Sequence, residues 1–372
     1  MGKLQQVFEN PETESETTFL GRLFSSPLIR GHYKEEKPVI DVQLVGNKDE
    51  QLRMTSLINT IANNSPTGRK VLENAAKAGF SFGFATQPGS YGFCSEDEKI
   101  IRLNPMTKDA KLVTTLAHEA RHAQQNTSGI PSEFCTFDVA TELKLRRATE
   151  ADAQAVAAQV ALEIRAATQD GKIWNAFQQM DPDIARKVEV PSIFKPVDFI
   201  VENSEKTMQA AFKGWFGNWK IVDAYEQGYL YGHLMQAERC SNPEDVKKLF
   251  EEKPFEGHKT SAEILQMVCT TDKGTCYFAN DLDIMDREPS MCGMCKETRS
   301  AANMFFRERE KITGQAPDTS YYDLPNRGGL FKALEMSMGG TAWDLKAPKV
   351  SGDKKALPPS LVAGLNKLRQ GR

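Results

Sequence analysis

Apolar and polar positions follow two different periods in the first third of the chain. From residue 52 to 61 the apolar positions recur at the three- and four-residue spacing of a helix. They are Leu52, Met54, Leu57, Ile58 and Ile61. A second helix fits GRKVLENAAKAG (68–79), where Gly79 can take the left-handed conformation that ends a helix. The pattern therefore predicts two consecutive helices before residue 80.

Three strands are predicted next, because the helical period gives way to short apolar runs. The runs are FSFGFAT (80–86), SYGFC (90–94) and KIIRLNP (99–105), the last of which ends at a proline. The polar turn SEDE (95–98) joins the second run to the third and predicts a hairpin. We therefore expect a small antiparallel sheet.

Two long helices follow, at about 108–126 and 137–168, with the loop NTSGIP between them. This order of helices, a small sheet and two long helices predicts the α+β class. The rest of the chain is mostly helical, with helices expected at 205–217, 219–240, 260–268 and 297–310. We expect a flexible arm, a first domain, a mostly helical region and a flexible tail at residues 1–45, 46–170, 171–340 and 341–372.

Composition limits the class of protein. The 372 residues carry a net charge of −3, which argues against nucleic acid or an anionic membrane as a partner. No apolar run approaches the roughly 18–20 residues of a membrane-spanning helix, and the polar start lacks the apolar core of a signal peptide. Seven cysteines, an odd number, favour a reducing compartment. We expect a cytoplasmic protein, with leaderless secretion as the alternative and the oligomeric state left open.

The segment TTLAHEARHAQQ (114–125) holds two of the five histidines, with Glu119 beside the first. A shuffled chain of this composition would contain a His-acid-x-x-His string only about 0.009 times. On a helical wheel His118 and His122 lie about 40° apart, so both imidazoles share one face. An apolar stripe lies opposite: Leu112, Val113, Leu116, Ala117 and Ala120. The helix therefore commits one side to a core and turns the histidines away from it.

Zinc chemistry explains why this spacing recurs in enzymes. Two imidazoles and a third protein ligand leave one corner of a zinc tetrahedron for water. The metal lowers the pKa of that water towards about 7. Glu119 can take the proton from this water and pass it to a leaving amine. The alternative interpretation is an exposed polar helix face with two ordinary histidines.

Glu150 and Asp152 on the second long helix are the candidates for the third ligand. Small side chains that would let another helix approach cluster near Glu150: Ala153, Ala157, Ala158 and Ala161. Asp152 lies about 160° away, on an arc with Gln159 and Glu163 that we expect to face solvent. Helical phase therefore favours Glu150, and Asp152 stays the alternative.

LVTTLAHEARHAQQ, followed by TEADA (149–153), resembles the zincin metallopeptidases of the Glu-ligated, gluzincin-like kind. Residues 50–165 are similar to a group of bacterial metallopeptidase domains. The resemblance implies that His118 and His122 bind zinc, that Glu150 completes the ligands and that Glu119 is the base. It also implies a zincin-like fold, in which an edge strand binds extended substrate.

Three details qualify the resemblance. The edge strand would be residues 91–94 or 100–104. Arg121 is charged where many zincins are uncharged, and it could pair with Glu150 or bind a substrate carboxylate. Four residues offer weak candidates for stabilising an oxyanion, although aromatic residues on a long helix are more often core: Tyr225, Tyr229, Tyr231 and His233.

A cysteine cluster marks the second half of the chain. The pair in CGMC has the spacing of a zinc knuckle, and two earlier cysteines could complete a structural zinc site. The four residues are Cys269, Cys276, Cys292 and Cys295. The six residues between the first two exceed the usual two to four. Free thiols are therefore favoured over a second, structural zinc.

The pattern as a whole predicts a zinc metallopeptidase that hydrolyses peptide bonds of a protein or peptide, with one catalytic Zn²⁺. The alternative from another class is a non-catalytic interaction protein that binds through its helical half and keeps a vestigial or structural His-Glu-x-x-His helix. A zinc hydrolase of non-peptide substrates is a third hypothesis. The first is favoured because a vestigial site has no reason to retain His118, Glu119 and His122 together.

Overall fold

The computed structural model describes residues 33–130, 137–188, 195–238, 244, 257–271, 274–313 and 318–327. Within these residues the protein combines many helices with one four-stranded sheet, so the predicted α+β class is confirmed. None of the described helices has the length and apolar content needed to cross a bilayer. The predicted tail and residues 1–32 of the predicted arm lie outside the described residues.

The protein forms two compact units, each composed of segments that are far apart in the sequence. The first comprises the described residues of Met1–Ser132, Ala148–Gly217 and Leu265–Asn280. The second comprises those of Glu133–Arg147, Asn218–Ile264 and Asp281–Arg372. The division of the chain near residue 170 stays a prediction, and neither unit is contiguous along the chain.

The first unit begins within the segment that the sequence assigned to the arm. Gln43–Leu44 form strand β1. The backbone N–H of Val39 donates to Asn59 Oδ1 at 2.9 Å, and Asn59 Nδ2 donates to the carbonyl oxygen of Lys37 at 3.1 Å. Residues 33–45, which the sequence assigned to the arm, therefore include a strand and bonds to a neighbouring helix, and the end of the arm at residue 45 stays a prediction.

Helices α1 (Lys48–Asn64) and α2 (Pro66–Lys77) are the two helices predicted first. Asn47 caps α1 within a complete capping box, and Ser65 caps α2 immediately before its proline. Gly79 has a φ of +84°, as its predicted role at the end of the helix requires. The apolar positions that predicted α1 are buried where they face the core: Met54, Leu57, Ile58 and Ile61.

The sheet contains β2 (Ser81–Phe84), β3 (Gly92–Ser95) and β4 (Ile100–Leu103), in the order β1-β2-β4-β3. The β3–β4 hairpin is antiparallel, as predicted. The other two pairings are parallel, so the expectation of an antiparallel sheet is wrong for them. The reason is that α1 and α2 form a crossover that returns the chain in the same direction, and β3 takes the outer position, which leaves β4 to pair with β2.

Helices α3 (Asp109–Thr127) and α4 (Val139–Thr168) are the two predicted long helices. α3 packs against α1, α2, β3 and β4. At Gly92 the strand β3 comes so close to α3 that an added Cβ would lie 2.9 Å from Thr115 Cγ2. This close approach places the start of β3 directly against the helix that carries the two histidines.

The remaining helices confirm the predicted helical character of the later chain. They are α5 (Lys172–Met180), α6 (Pro182–Val188), α7 (Val197–Glu202), α8 (Ser204–Trp215), α9 (Trp219–Glu238), α10 (Ser261–Val268), α11 (Ile284–Arg287), α12 (Pro289–Cys292) and α13 (Lys296–Thr313). In the second unit α9 and α13 pack together. Their apolar core includes Leu143, Leu230, Phe306 and Tyr321.

Candidate active site

Helix α3 holds the His-Glu-x-x-His segment with its apolar side in the core. The residues of the predicted stripe are at most 3% exposed, so this expectation is confirmed: Leu112, Val113, Leu116, Ala117 and Ala120. The histidine side is enclosed as well, because it faces α4. The side chains of His118 and His122 are only 12% and 10% exposed. The histidines therefore line an enclosed site and do not lie on an open surface.

Helix α4 presents Glu150 to these histidines. The small residues predicted to line the approach are all buried: Ala153, Ala157, Ala158 and Ala161. The side chain of Glu150 is 2% exposed. Its Oε2 lies 3.6 Å from His118 Nε2 and 3.5 Å from His122 Nε2. The carboxylate that helical phase favoured over Asp152 is therefore the one that lies near both histidines.

The three side chains have the geometry of a metal centre. The two imidazole Nε2 atoms are 2.9 Å apart, which closes a triangle with Glu150 Oε2. Ligand atoms at about 2.0–2.1 Å from a tetrahedral zinc would lie roughly 3.3–3.4 Å apart. Across the described residues, His118, His122 and Glu150 are the group of three or more side chains that could hold a metal ion. The donor set of two imidazoles and one carboxylate suits zinc.

Burial and charge give the two imidazoles different protonation states when no ion is bound. Burial, helped by the neighbouring His122, lowers the pKa of His118 to about 3. Burial also acts to lower the pKa of His122, but Glu150, with help from Glu119 and Gln125, outweighs burial and raises that pKa to about 9. Near neutral pH His118 is therefore neutral, and His122 carries the proton that it can donate to His118 Nε2.

This proton must leave before His122 can bind a metal, so zinc binding should release protons. Because the pKa of His122 is raised to about 9, the proton is bound below that pH and competes with the metal. We expect about one proton released per zinc between pH 7 and 9, and a Kd that falls about tenfold per pH unit over that range. Calorimetry in buffers of different ionisation enthalpy measures the number released. A Kd that does not change with pH would contradict this assignment.

Glu119 interacts with His122 and Glu150 on one side and with the backbone of Cys94 in strand β3 on the other. Burial raises its pKa to about 7; Glu150 adds to this increase, while His122 opposes it. A backbone hydrogen bond from Cys94 in β3 also lowers the pKa. A carboxyl group with a pKa near neutrality can both take up and release a proton at physiological pH. The side chain next to the candidate metal ligands is therefore suited to proton transfer.

A family model described as "Putative metallopeptidase family (DUF6782)" matches residues 37–278, about two thirds of the chain. The chain belongs to this family. No match was found among curated proteins or among solved structures. The relation to metallopeptidases is thus confirmed at the level of this family, and the zincin subtype stays a prediction. The family region extends far beyond residues 50–165, which the sequence resemblance covered.

The polar arc of α4 was assigned wrongly to solvent. Asp152, Gln159 and Glu163 are completely buried. Each has polar partners: for example, Thr67 Oγ1 donates to Glu163 at 2.7 Å, and Gln159 Nε2 donates to the same carboxylate at 2.7 Å. A wheel shows only the phase of a side chain, whereas burial depends on what packs against each face. Here packed segments from elsewhere in the chain supply the partners.

Arg121 pairs with Asp152, which neither sequence-based alternative expected. Its Nε donates to Asp152 Oδ2 at 2.6 Å, and the guanidinium is 6% exposed. Asp152 therefore neutralises the buried charge of Arg121, and it is not part of the group of described residues that could hold a metal ion. Sequence reasoning also missed Gln125 and Tyr277, which bond to this pair. The three-residue spacing from His122 could have indicated Gln125, but no local pattern points to Tyr277.

The outer strands of the described sheet are β1 and β3, so the expected substrate-binding edge at 100–104, which is β4, is wrong. β4 is paired on both sides, with β2 and β3. At the outer strand β3, Ser90 Oγ already bonds to both backbone groups of Gly92. The N–H of Cys94 bonds to Glu119. Residues 91–94 stay the predicted substrate edge, and an added strand would have to use or replace these bonds.

Neither the described cysteines nor the described aromatic candidates belong to the group that could hold a metal ion. Cys276 Sγ lies 3.4 Å from the Leu265 carbonyl oxygen in the first unit. In the second unit Cys292 Sγ lies 3.4 Å from the Glu288 carbonyl oxygen, and Cys295 bonds to a threonine. The groups of metal ligands found among the described residues include no cysteine. Tyr225 and Tyr229 belong to the core of the second unit, whereas the side chains of Tyr231 and His233 lie outside the described residues.

Proposed function

We propose that the protein is a zinc-dependent metallopeptidase in which His118, His122 and Glu150 bind the metal and Glu119 is the general base. The triangle of ligand atoms, with sides of 2.9, 3.5 and 3.6 Å, carries the proposal. A buried carboxyl group with a pKa near neutrality stands next to that triangle. Membership of the metallopeptidase family supports the same class of reaction.

A bound zinc would supply Lewis acidity and make water acidic enough to lose a proton near neutral pH. Glu119 would accept that proton on its carboxylate. As the water oxygen bonds to the carbonyl carbon and the C–N bond breaks, Glu119 would deliver the proton to the departing nitrogen. The hydrogen bond from the backbone of Cys94 would hold the carboxylate in position during both transfers.

The residues around the ligands keep water and competing charges away from the reacting groups. Glu119 and His122 are 7% and 8% exposed, and the nearest cationic side chain on α3, Arg121, is bound to Asp152. A low local dielectric strengthens electrostatic interactions at such a site. These features favour a peptidase over a non-catalytic interaction protein with a structural helix, because such a protein has no need for a buried base.

The experiment that tests the proposal measures metal and activity together. Protein purified without added zinc should contain about one zinc per chain, measured by mass spectrometry. A proteomic cleavage screen with this protein should identify peptide bonds that it cuts. A chelator should abolish cleavage, and added zinc should restore it. Either a metal-free protein that takes up no zinc, or cleavage that survives removal of the metal, would contradict the proposal.

A further inference from the structure

A chain of buried hydrogen bonds begins at the atom of His122 that points away from the metal ligands. His122 Nδ1 lies 2.8 Å from Gln125 Oε1. The Nε2 of the same glutamine donates to Asp152 Oδ2 at 2.7 Å and to the Thr149 carbonyl oxygen at 3.0 Å. Gln125 is 2% exposed, so these bonds are shielded from water.

These contacts decide the orientation of the Gln125 amide. An amide NH₂ group can only donate, and the two atoms that face it, a carboxylate oxygen and a carbonyl oxygen, can only accept. The amide oxygen must therefore face His122. Because that oxygen only accepts, His122 Nδ1 must carry a proton. The neutral imidazole then has its lone pair on Nε2, the atom that faces His118 and Glu150.

Asp152 accepts a hydrogen bond from this glutamine and so fixes its orientation. Its carboxylate accepts three bonds, from Arg121 Nε at 2.6 Å, Gln125 Nε2 at 2.7 Å and the Tyr277 hydroxyl at 2.9 Å. Asp152 is completely buried, and the guanidinium balances its charge. With three donors around it, the carboxylate cannot turn away from Gln125 without leaving a buried donor unsatisfied.

Some hydrogen-bond partners of Asp152 and Arg121 come from a segment more than 130 residues beyond α3. Tyr277 is 1% exposed, and its ring packs edge-on against Phe212 of α8. The Arg121 guanidinium also donates to the carbonyl oxygens of Val268 and Thr270, both at 3.0 Å. The described residues of 265–280 therefore lie within the first unit beside the candidate ligands. The family match ends at residue 278 and so includes this segment except for its last two residues.

We propose that Gln125 and Asp152, held in place by Tyr277, are positioning residues that fix His122 with its proton on Nδ1 and leave Nε2 for the metal. The inference rests on the proposed function, because it takes His122 to be a metal ligand. Hydrogen-bonded partners of this kind orient metal-bound imidazoles, and their loss typically lowers metal affinity about 10–100-fold. Residues 265–280 thereby belong to the metal centre rather than to a separate binding region.

The test measures zinc affinity by competition with a chelator and the visible spectrum of the Co²⁺-loaded protein. Gln125→Met keeps the length of the side chain and removes its three hydrogen bonds, to His122, Asp152 and the Thr149 carbonyl oxygen. We expect its zinc Kd to rise about 10–100-fold, with a changed Co²⁺ spectrum. Tyr277→Phe keeps the ring and removes one donor to Asp152. We expect a smaller rise in Kd, about three- to tenfold.

Two matched controls separate positioning from general stability. Gln159→Met removes a fully buried amide on α4 that bonds to Glu163. Tyr321→Phe removes a buried hydroxyl that donates to Asn303 in the second unit. Both controls should bind zinc like the parent, and thermal unfolding of the metal-free proteins shows which variants are folded.

The outcomes distinguish this inference from the proposed function. If the parent binds no zinc, the proposed function fails, and the inference fails with it. If the parent binds zinc and the Gln125 and Tyr277 variants bind it equally well, the inference is wrong and the proposed function stands. An equal loss of affinity in the Gln159 and Tyr321 controls also overturns it, because the effect would then be one of general stability.

Discussion

The Glu119→Gln protein is expected to fold, to bind zinc like the parent and to lose roughly 10²–10⁴-fold in the rate of peptide hydrolysis. Glutamine has the size and hydrogen-bonding capacity of glutamate, but it cannot take the proton from water. The carboxyl group it replaces is 7% exposed and has its pKa raised to about 7 by burial. The loss should appear in kcat and in kcat/KM alike, because the proton transfer belongs to the chemical step.

The pH profile of the parent provides a second check on Glu119. A base must be deprotonated to act, so kcat/KM should rise with pH and level off once Glu119 has lost its proton. We expect this acid limb at or below about pH 7, because a bound dication would lower the pKa further. If Glu119→Gln cleaves substrate at the rate of the parent, Glu119 is not the base, even if the metal is found.

The Glu150→Gln protein is expected to lose zinc affinity by roughly 10²–10³-fold, because it loses one of three ligands. Four-ligand structural zinc sites bind with about 10–16 kcal/mol, which corresponds to roughly 2.5–4 kcal/mol per ligand. Glu150 Oε2 lies within 3.6 Å of both histidine Nε2 atoms, so the substitution changes the carboxylate that faces both imidazoles. Competition with a chelator measures the Kd, and His118→Ala should show a loss of similar size.

The matched control for this ligand is Glu163→Gln, a change to another completely buried carboxylate on α4. Its partners are Ser65 and Thr67 at the start of α2, so its removal should lower the melting temperature and leave zinc affinity unchanged. Asp152→Ala is a poor comparison, because it would leave the buried Arg121 charge without its partner, at a cost of about 3–5 kcal/mol. Unchanged zinc binding in Glu150→Gln would show that the metal ligands lie elsewhere.

The sequence was informative where local spacing alone decides a structure. The helical period and the end signals predicted α1, α2, α3 and α4 closely, and the SEDE turn predicted the β3–β4 hairpin. The same spacing put both histidines on one face and selected Glu150 over Asp152. Each of these conclusions depends on residues within a few turns of one another, so one sequence is enough to draw it.

The errors came from contacts between distant segments. The direction of β2 relative to β4 depends on whether β3 or β4 takes the outer position in the sheet. No local pattern in the sequence indicates this position. The polar arc of α4 looked suited to solvent, but Glu163 meets the start of α2, and Asp152 meets Arg121 and Tyr277. A polar side chain in a sequence indicates that it needs partners and does not indicate whether water or protein supplies them.

By itself, the sequence determined the long helices, the β3–β4 hairpin and the chemistry that α3 and α4 could support, because helical phase follows directly from residue spacing. Only the tertiary structure decided that the histidine face is enclosed, that Glu150 reaches both imidazoles, and that Tyr277 stands behind Asp152. These facts depend on how close packing brings together residues separated by 28 to 125 positions along the chain. Packing of that kind has no periodic signature in the sequence, so these contacts can be seen only in the folded structure.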